Sequence, residues 1–196
     1  LSWARSRLTL LFTNLFTWMA TIGKDWLASL WTEAHKLILN KDDPDEADLR
    51  RLIEIATNRE NALAQEFDRR IQAAGEKAYQ IRDEYLAKFD KAALKGTNLF
   101  PILLNESLIA TLRDRLTAAI NRQIDAALQR AAAQSALTIQ KLADGKTKII
   151  DKCTNAVATA SARREAAAAL HVPALAKHSD DQIRTLLKNK IGRAHV

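Results

Sequence analysis

Apolar residues recur every eleven positions through two long proline-free stretches of this chain, and few folds accommodate that pattern. Leu63, Ala74 and Tyr85 stand eleven apart, as do Phe67, Ala78 and Phe89. Further on, Ile109, Ile120, Ala131, Leu142 and Cys153 repeat the interval; Leu116, Ala127, Ile149 and Ala160 form a partial second stripe, with Thr138 between. Eleven residues over three helical turns is about 3.67 per turn, so such a stripe barely winds around an α-helix and favours nearly straight or slightly right-handed packing. A strict heptad is absent, and no apolar run alternates with the period of two that a half-buried strand requires. The pattern predicts an all-α chain whose apolar side chains form seams between helices rather than one thick core.

Local punctuation divides the helices. Asp43 is placed to cap free N–H groups, Pro44 suits a first helical position, and Glu46 stands at the capping-box distance, so a long charged helix is expected over 44–95. Asp45 and Asp48 add negative charge at its positive end, and Lys95-Gly96 supplies a stop. At 1.5 Å per residue that helix would be roughly 78 Å long. Its polar face carries Glu46/Arg50, Glu66/Arg70 and Glu84/Lys88, each pair at a spacing worth about 0.2–0.5 kcal/mol. Gly75 interrupts it, as a close helix approach, a bend or a tolerated glycine. After Gly96-Thr97-Asn98 and Pro101, a second, alanine-rich helix is expected over 104–170, kinked or broken near Asp144-Gly145. Two helices of matching period joined by a short loop predict an elongated antiparallel hairpin, coiled-coil-like in its packing. His171-Val172-Pro173 ends the pattern, and Ser179 with Gln182 opens a short helix over 179–189.

Residues 1–40 read as an amphipathic helix crowded with aromatics. Leu8, Leu11, Leu15, Trp18, Ile22, Trp26 and Leu30 share a face widened by Phe12, Phe16 and Met19, opposite Thr13, Asn14, Thr17, Thr21, Lys24 and Asp25. Only Leu8 to Gly23 lack charge, short of the roughly 20 apolar residues a bilayer crossing needs. Three readings stay open: packing against protein helices, contact with a membrane through Leu8, Leu11, Leu15, Trp18, Ile22 and Trp26, and a signal-like segment after Arg5 and Arg7. Tryptophan suits both protein packing and a membrane interface.

Nothing in the chain reads as a reaction centre. The lone Cys153 falls on an apolar stripe, where a small buried side chain is expected and no intrachain disulfide can form. His171 and His178 lack zinc-site spacing and a cysteine pair. No phosphate-binding glycine loop is present. No catalytic, cofactor-binding or metal-binding residue is therefore assigned, and no cofactor is expected. Asn105-Glu106-Ser107 matches a glycosylation acceptor, too short a pattern to establish secretion. The net charge of +7 concentrates after residue 96, most densely at Arg113, Arg115, Arg122 and Arg130. Without a recognition motif or interleaved aromatics, that stretch reads as a solvated helix face rather than a nucleic-acid site.

Lys190 to Val196 matches one reading frame of a common sequencing-adapter sequence and is read as a scar, which sets His195 aside from any site. With no methionine at Leu1 either, the chain is expected to be a fragment.

The block Leu10-Leu11-Phe12-Thr13-Asn14-Leu15-Phe16-Thr17-Trp18-Met19, followed by Trp26, Trp31, Asp43-Pro44-Asp45-Glu46 and Asn58-Arg59-Glu60, resembles phage tail tape-measure proteins over about residues 8–95. In that family an apolar, tryptophan-studded region lies beside long helices. The resemblance implies a helical protein that packs inside the tail tube, sets tail length during assembly and leaves when DNA is delivered. It implies partners among tail proteins or further copies of the chain, location in the virion or in the host cytoplasm during assembly, and no catalytic residues. The alternative is a membrane-associated bacterial coiled-coil protein anchored by residues 8–31.

Overall fold

The computed structural model describes residues 1–95, 106–170, 184–185 and 187–189. Among these the chain is all-α, with no strand. Helix α1 spans Ser2–Ala34 and continues directly into a π-helical turn, His35–Leu39. Helix α2 spans Glu46–Lys95 and α3 spans Glu106–Leu170. Arg184, Thr185, Leu187, Lys188 and Asn189 are helical. Gly96 to Asn98, Pro101, Asn105, His171 to Pro173, His178, Ser179, Gln182 and the tail from Lys190 lie outside the described residues. Low glycine and proline content leaves the backbone little reason to stop, and threonines within the helices satisfy their hydroxyls locally. Thr21, Thr111, Thr117, Thr147, Thr154 and Thr159 each donate to the carbonyl four residues earlier.

The helices contribute to two compact units: Leu1–Thr32 with Ile53–Ile149, and Glu33–Leu52 with Ile150–Val196. In the first unit all three helices pack against one another. Its core takes Ala4, Leu8, Phe12, Leu15, Met19, Trp26 and Leu30 from α1, and Ala56, Leu63, Phe67, Ala74, Ala78, Ile81 and Leu86 from α2. From α3 come Ile120, Ile124, Ala127, Ala131, Ser135, Thr138, Leu142 and Ile149. The eleven-residue interval is visible in each set, including Ala4, Leu15 and Trp26 in α1. Trp18 packs edge-on against Phe67, with ring centroids 5.4 Å apart, tying α1 to α2. Arg82 donates to Asn121 at 3.0 Å, Arg113 pairs with Asp90 at 3.0 Å, and Lys146 pairs with Glu60, tying α2 to α3.

Glycines 75 and 145 interrupt neither helix. A Cβ on Gly145 would stand 2.6 Å from Leu27 Cδ2, so the bare backbone is what lets α1 approach α3 there. The break anticipated at Asp144-Gly145 is absent because the helical hydrogen bonds run on and the glycine serves contact. Gly75 is buried, whereas Gly145 is half-buried; a Cβ on Gly75 would meet Leu128 at ordinary van der Waals distance, 3.4 Å.

In the second unit the start of α2 corrects the expected cap. The helix begins at Glu46 and Asp45, not Asp43, caps it: Asp45 Oδ1 accepts the Asp48 N–H at 3.0 Å, and Asp48 Oδ2 accepts the Asp45 N–H at 3.0 Å. This reciprocal arrangement is a capping box with aspartate in the third position. Lys41 Nζ holds Asp48 from the far side, at 2.9 Å from Oδ2. Asp43 pairs with Arg164 of α3 instead, and Pro44, ahead of the helix, is buried. Ala34, Ile38, Leu49, Leu52, Cys153, Val157 and Ala160 form this unit's seam.

Candidate functional site

Among the described residues no group of three or more His, Cys, Asp or Glu side chains could hold a metal ion. Several ionisable groups along the helix faces are engaged in pairs, such as Arg113 with Asp90 and Lys146 with Glu60. Cys153 is fully buried on the seam of α3, and burial pushes its thiol above the ordinary range, against the opposing charge of Lys152. Tyr79 is likewise raised, first by burial and then by its hydrogen bond to Asp125, 3.2 Å away. Both groups are protonated at neutral pH, which suits packing and gives neither a nucleophile nor a base.

The N-terminal apolar face is turned from its expected centre. Leu8, Leu15, Trp26 and Leu30 are buried, but so are Phe12 and Met19, while Leu11, Trp18 and Ile22 are half-buried at one edge. Contact with two helices at once explains this shift: Phe67 lies against one side of α1, and Gly145 and Thr138 lie against the other. Trp26 Nε1 is buried without a hydrogen-bond partner among the described residues. Arg70 lies over the Trp18 ring, its guanidinium carbon 4.6 Å from the centroid. Trp3 stacks on Tyr85 at 6.5 Å and receives the Lys88 ammonium 3.7 Å from its centroid. Of the charge pairs expected within α2, Glu66–Arg70 forms. Glu84 turns to Arg7 at 3.2 Å and Lys88 to Trp3, because α1 offers them partners across the seam.

The four arginines expected as one positive stretch are separated by their surroundings. Arg113 is paired with Asp90, whereas Arg122 and Arg130 join Arg5 along a surface groove between α1 and α3. This groove has a volume of about 670 Å³, and Leu8, Phe12, Phe16 and Ala126 contribute to its apolar wall. A groove of about 720 Å³ between α2 and α3 has the opposite sign: Ile71, Leu128 and Ile139 supply apolar wall, and Asp68 and Glu76 are its charged residues. No protein-family model, curated protein or solved structure matches this chain. What these surfaces can bind therefore follows from their own shape and charge.

Neither groove is announced by a motif. Arg5 and Arg122 are more than a hundred positions apart, and only the packing of α1 on α3 brings them together. One signal could have found the third seam: Leu8, Met19 and Leu30 carry the same eleven-residue interval as the later helices.

Proposed function

We propose that this chain is a structural, non-enzymatic helical segment of a phage or prophage tail tape-measure protein, acting by side-by-side helix packing. In this reading α2 and α3 form an antiparallel, coiled-coil-like hairpin and α1 lies along it. The contacts Asp90–Arg113, Arg82–Asn121, Gly75–Leu128 and Glu60–Lys146 support that direction, since positions fall on α2 as they rise on α3. The observation that carries the proposal is the eleven-residue apolar seam present in all three helices. Such seams bind helices laterally while charged faces keep the outer surface hydrated. The tail assignment itself rests on the tryptophan-studded block and the charged helix that follows it.

Removal of residues 46–170 in frame from the encoding gene tests the role. Tails shortened or missing by negative-stain electron microscopy are expected; tails of unchanged length and number overturn the tail reading. The membrane-associated alternative rests on α1. Burial of Leu8, Leu15 and Trp26 against protein weakens it, and no described helix is long and apolar enough to cross a membrane.

A further inference from the structure

We propose that the groove between α1 and α3 in the first unit docks an acidic amphipathic helix of another protein. The proposal rests on the reading of this chain as a helix-packing protein and names the chemistry of one partner.

The wall and the charge point to the same occupant. Arg5 and Phe16 bound the α1 side, Ala119 and Arg130 the α3 side, so each side runs about three helical turns, roughly 17 Å at 1.5 Å per residue. Leu8 and Phe12 are buried beneath it while Phe16 remains half-exposed, leaving an apolar strip that water still reaches. A helix presenting apolar anchors at i, i+3 or i+4, and i+7 fits an open strip of this length. A small molecule suits it less well, since ligand pockets enclose most of their ligand's surface.

Charge then selects the helix. Arg5, Arg122 and Arg130 are exposed and no carboxylate lines the groove; none of the three makes an ion pair among the described residues. Three uncompensated guanidinium groups around an apolar strip favour an apolar ridge flanked by glutamate or aspartate and disfavour a basic one. A second copy fits less well, because the acidic, apolar-walled surface of this unit, lined by Asp68, Ile71 and Glu76, is itself a groove and offers no projecting apolar ridge to seat in another groove.

The test uses the full chain and a fluorescein-labelled peptide about fifteen residues long, with leucines at helical i, i+3/i+4 and i+7 spacing and glutamate as its charged residue. A twin carries lysine in place of each glutamate. Fluorescence anisotropy should show saturable, salt-weakened binding of the glutamate peptide and little binding of its twin. Arg122→Glu with Arg130→Glu should weaken that binding at least on the order of tenfold. Lys77→Glu with Lys91→Glu, the same charge change elsewhere on the unit, should leave it within about twofold. All four positions are exposed, and circular dichroism confirms that the variants fold. Equal binding of the two peptides, no binding of either, or an unchanged affinity in the Arg122/Arg130 variant overturns the proposal. A chain that sediments alone as a dimer, dissolved by the same double variant, overturns it in favour of a second copy. Duplex DNA that displaces the peptide with the same arginine dependence overturns it in favour of nucleic acid. None of these failures alters tail length on deletion, so the tail reading stands or falls separately.

Discussion

Cys153 shows how little reactivity this surface offers. Its thiol is fully buried, and burial raises its pKa, so a disulfide reagent such as DTNB should label it far more slowly in the folded chain than in urea. Native labelling as fast as that of the unfolded chain would mean the seam around it is open. Asp48 makes the complementary point about charge. Its hydrogen bond from Lys41, followed by the backbone bond from Asp45, holds its carboxyl below the ordinary value of 3.8. A depressed carboxylate contributes stability that is present above its unfolded pKa and lost as pH falls through its folded one. Asp48→Asn should therefore destabilise the chain at neutral pH and converge with the parent in strong acid, by urea titration at several pH values. Equal destabilisation at every pH would remove the ion pair from the explanation. Trp26 carries the opposite liability, a buried indole N–H without a partner. Replacement by phenylalanine should change stability by no more than about 1 kcal/mol, because loss of ring area is offset by removal of an unsatisfied donor; alanine should cost about 3–5 kcal/mol.

At the level of the element, caps and glycines distinguish what the sequence made legible from what it did not. The buried series Ile120, Ala131, Leu142, Cys153 could be read from spacing alone, since a helix converts interval into face without reference to anything else. The cap could not. Asp43 and Asp45 both precede a carboxylate at the right distance, and Lys41 and Arg164, which decide between them, reach the site through folding. Asp45→Ala should cost about 1 kcal/mol in urea unfolding, more than Asp43→Ala, which loses an exposed ion pair only. The two glycines should likewise part company. Gly75→Ala gains helix propensity of about 0.5–1 kcal/mol against an ordinary contact, whereas Gly145→Ala must displace Leu27. Thermal melts should therefore rise for the first and fall or stay level for the second; a rise of equal size in both would show that Leu27 yields freely.

Across the whole molecule, the all-α class was legible because long proline-free stretches and the eleven-residue interval leave no competing architecture. The role of α1 was not. An amphipathic face records that something apolar covers it but not whether that cover is protein or lipid, and the choice shifts when Phe12 and Met19 prove as buried as Leu8. The chain should therefore remain at the bottom of a flotation gradient with phosphatidylcholine–phosphatidylglycerol vesicles. Stable flotation, abolished by Trp18→Asp with Trp26→Asp, would return α1 to the membrane reading. The grooves were beyond sequence reasoning for a geometric cause: their walls come from different helices, and neighbours in space carry no mark of one another in a single chain.

The π-helical turn at His35–Leu39 has its own bearing on tolerance. Its wide loop, closed by the Asn40 N–H on the His35 carbonyl at 2.8 Å, holds one residue more than an α-helical turn, and Ala34 and Ile38, four apart, are both buried in the second unit. One residue of slack is thus stored where α1 ends, so loss of a single position there can be absorbed by winding back to α geometry, sparing the joint from the frame-like slippage that a similar deletion would cause in the middle of α3.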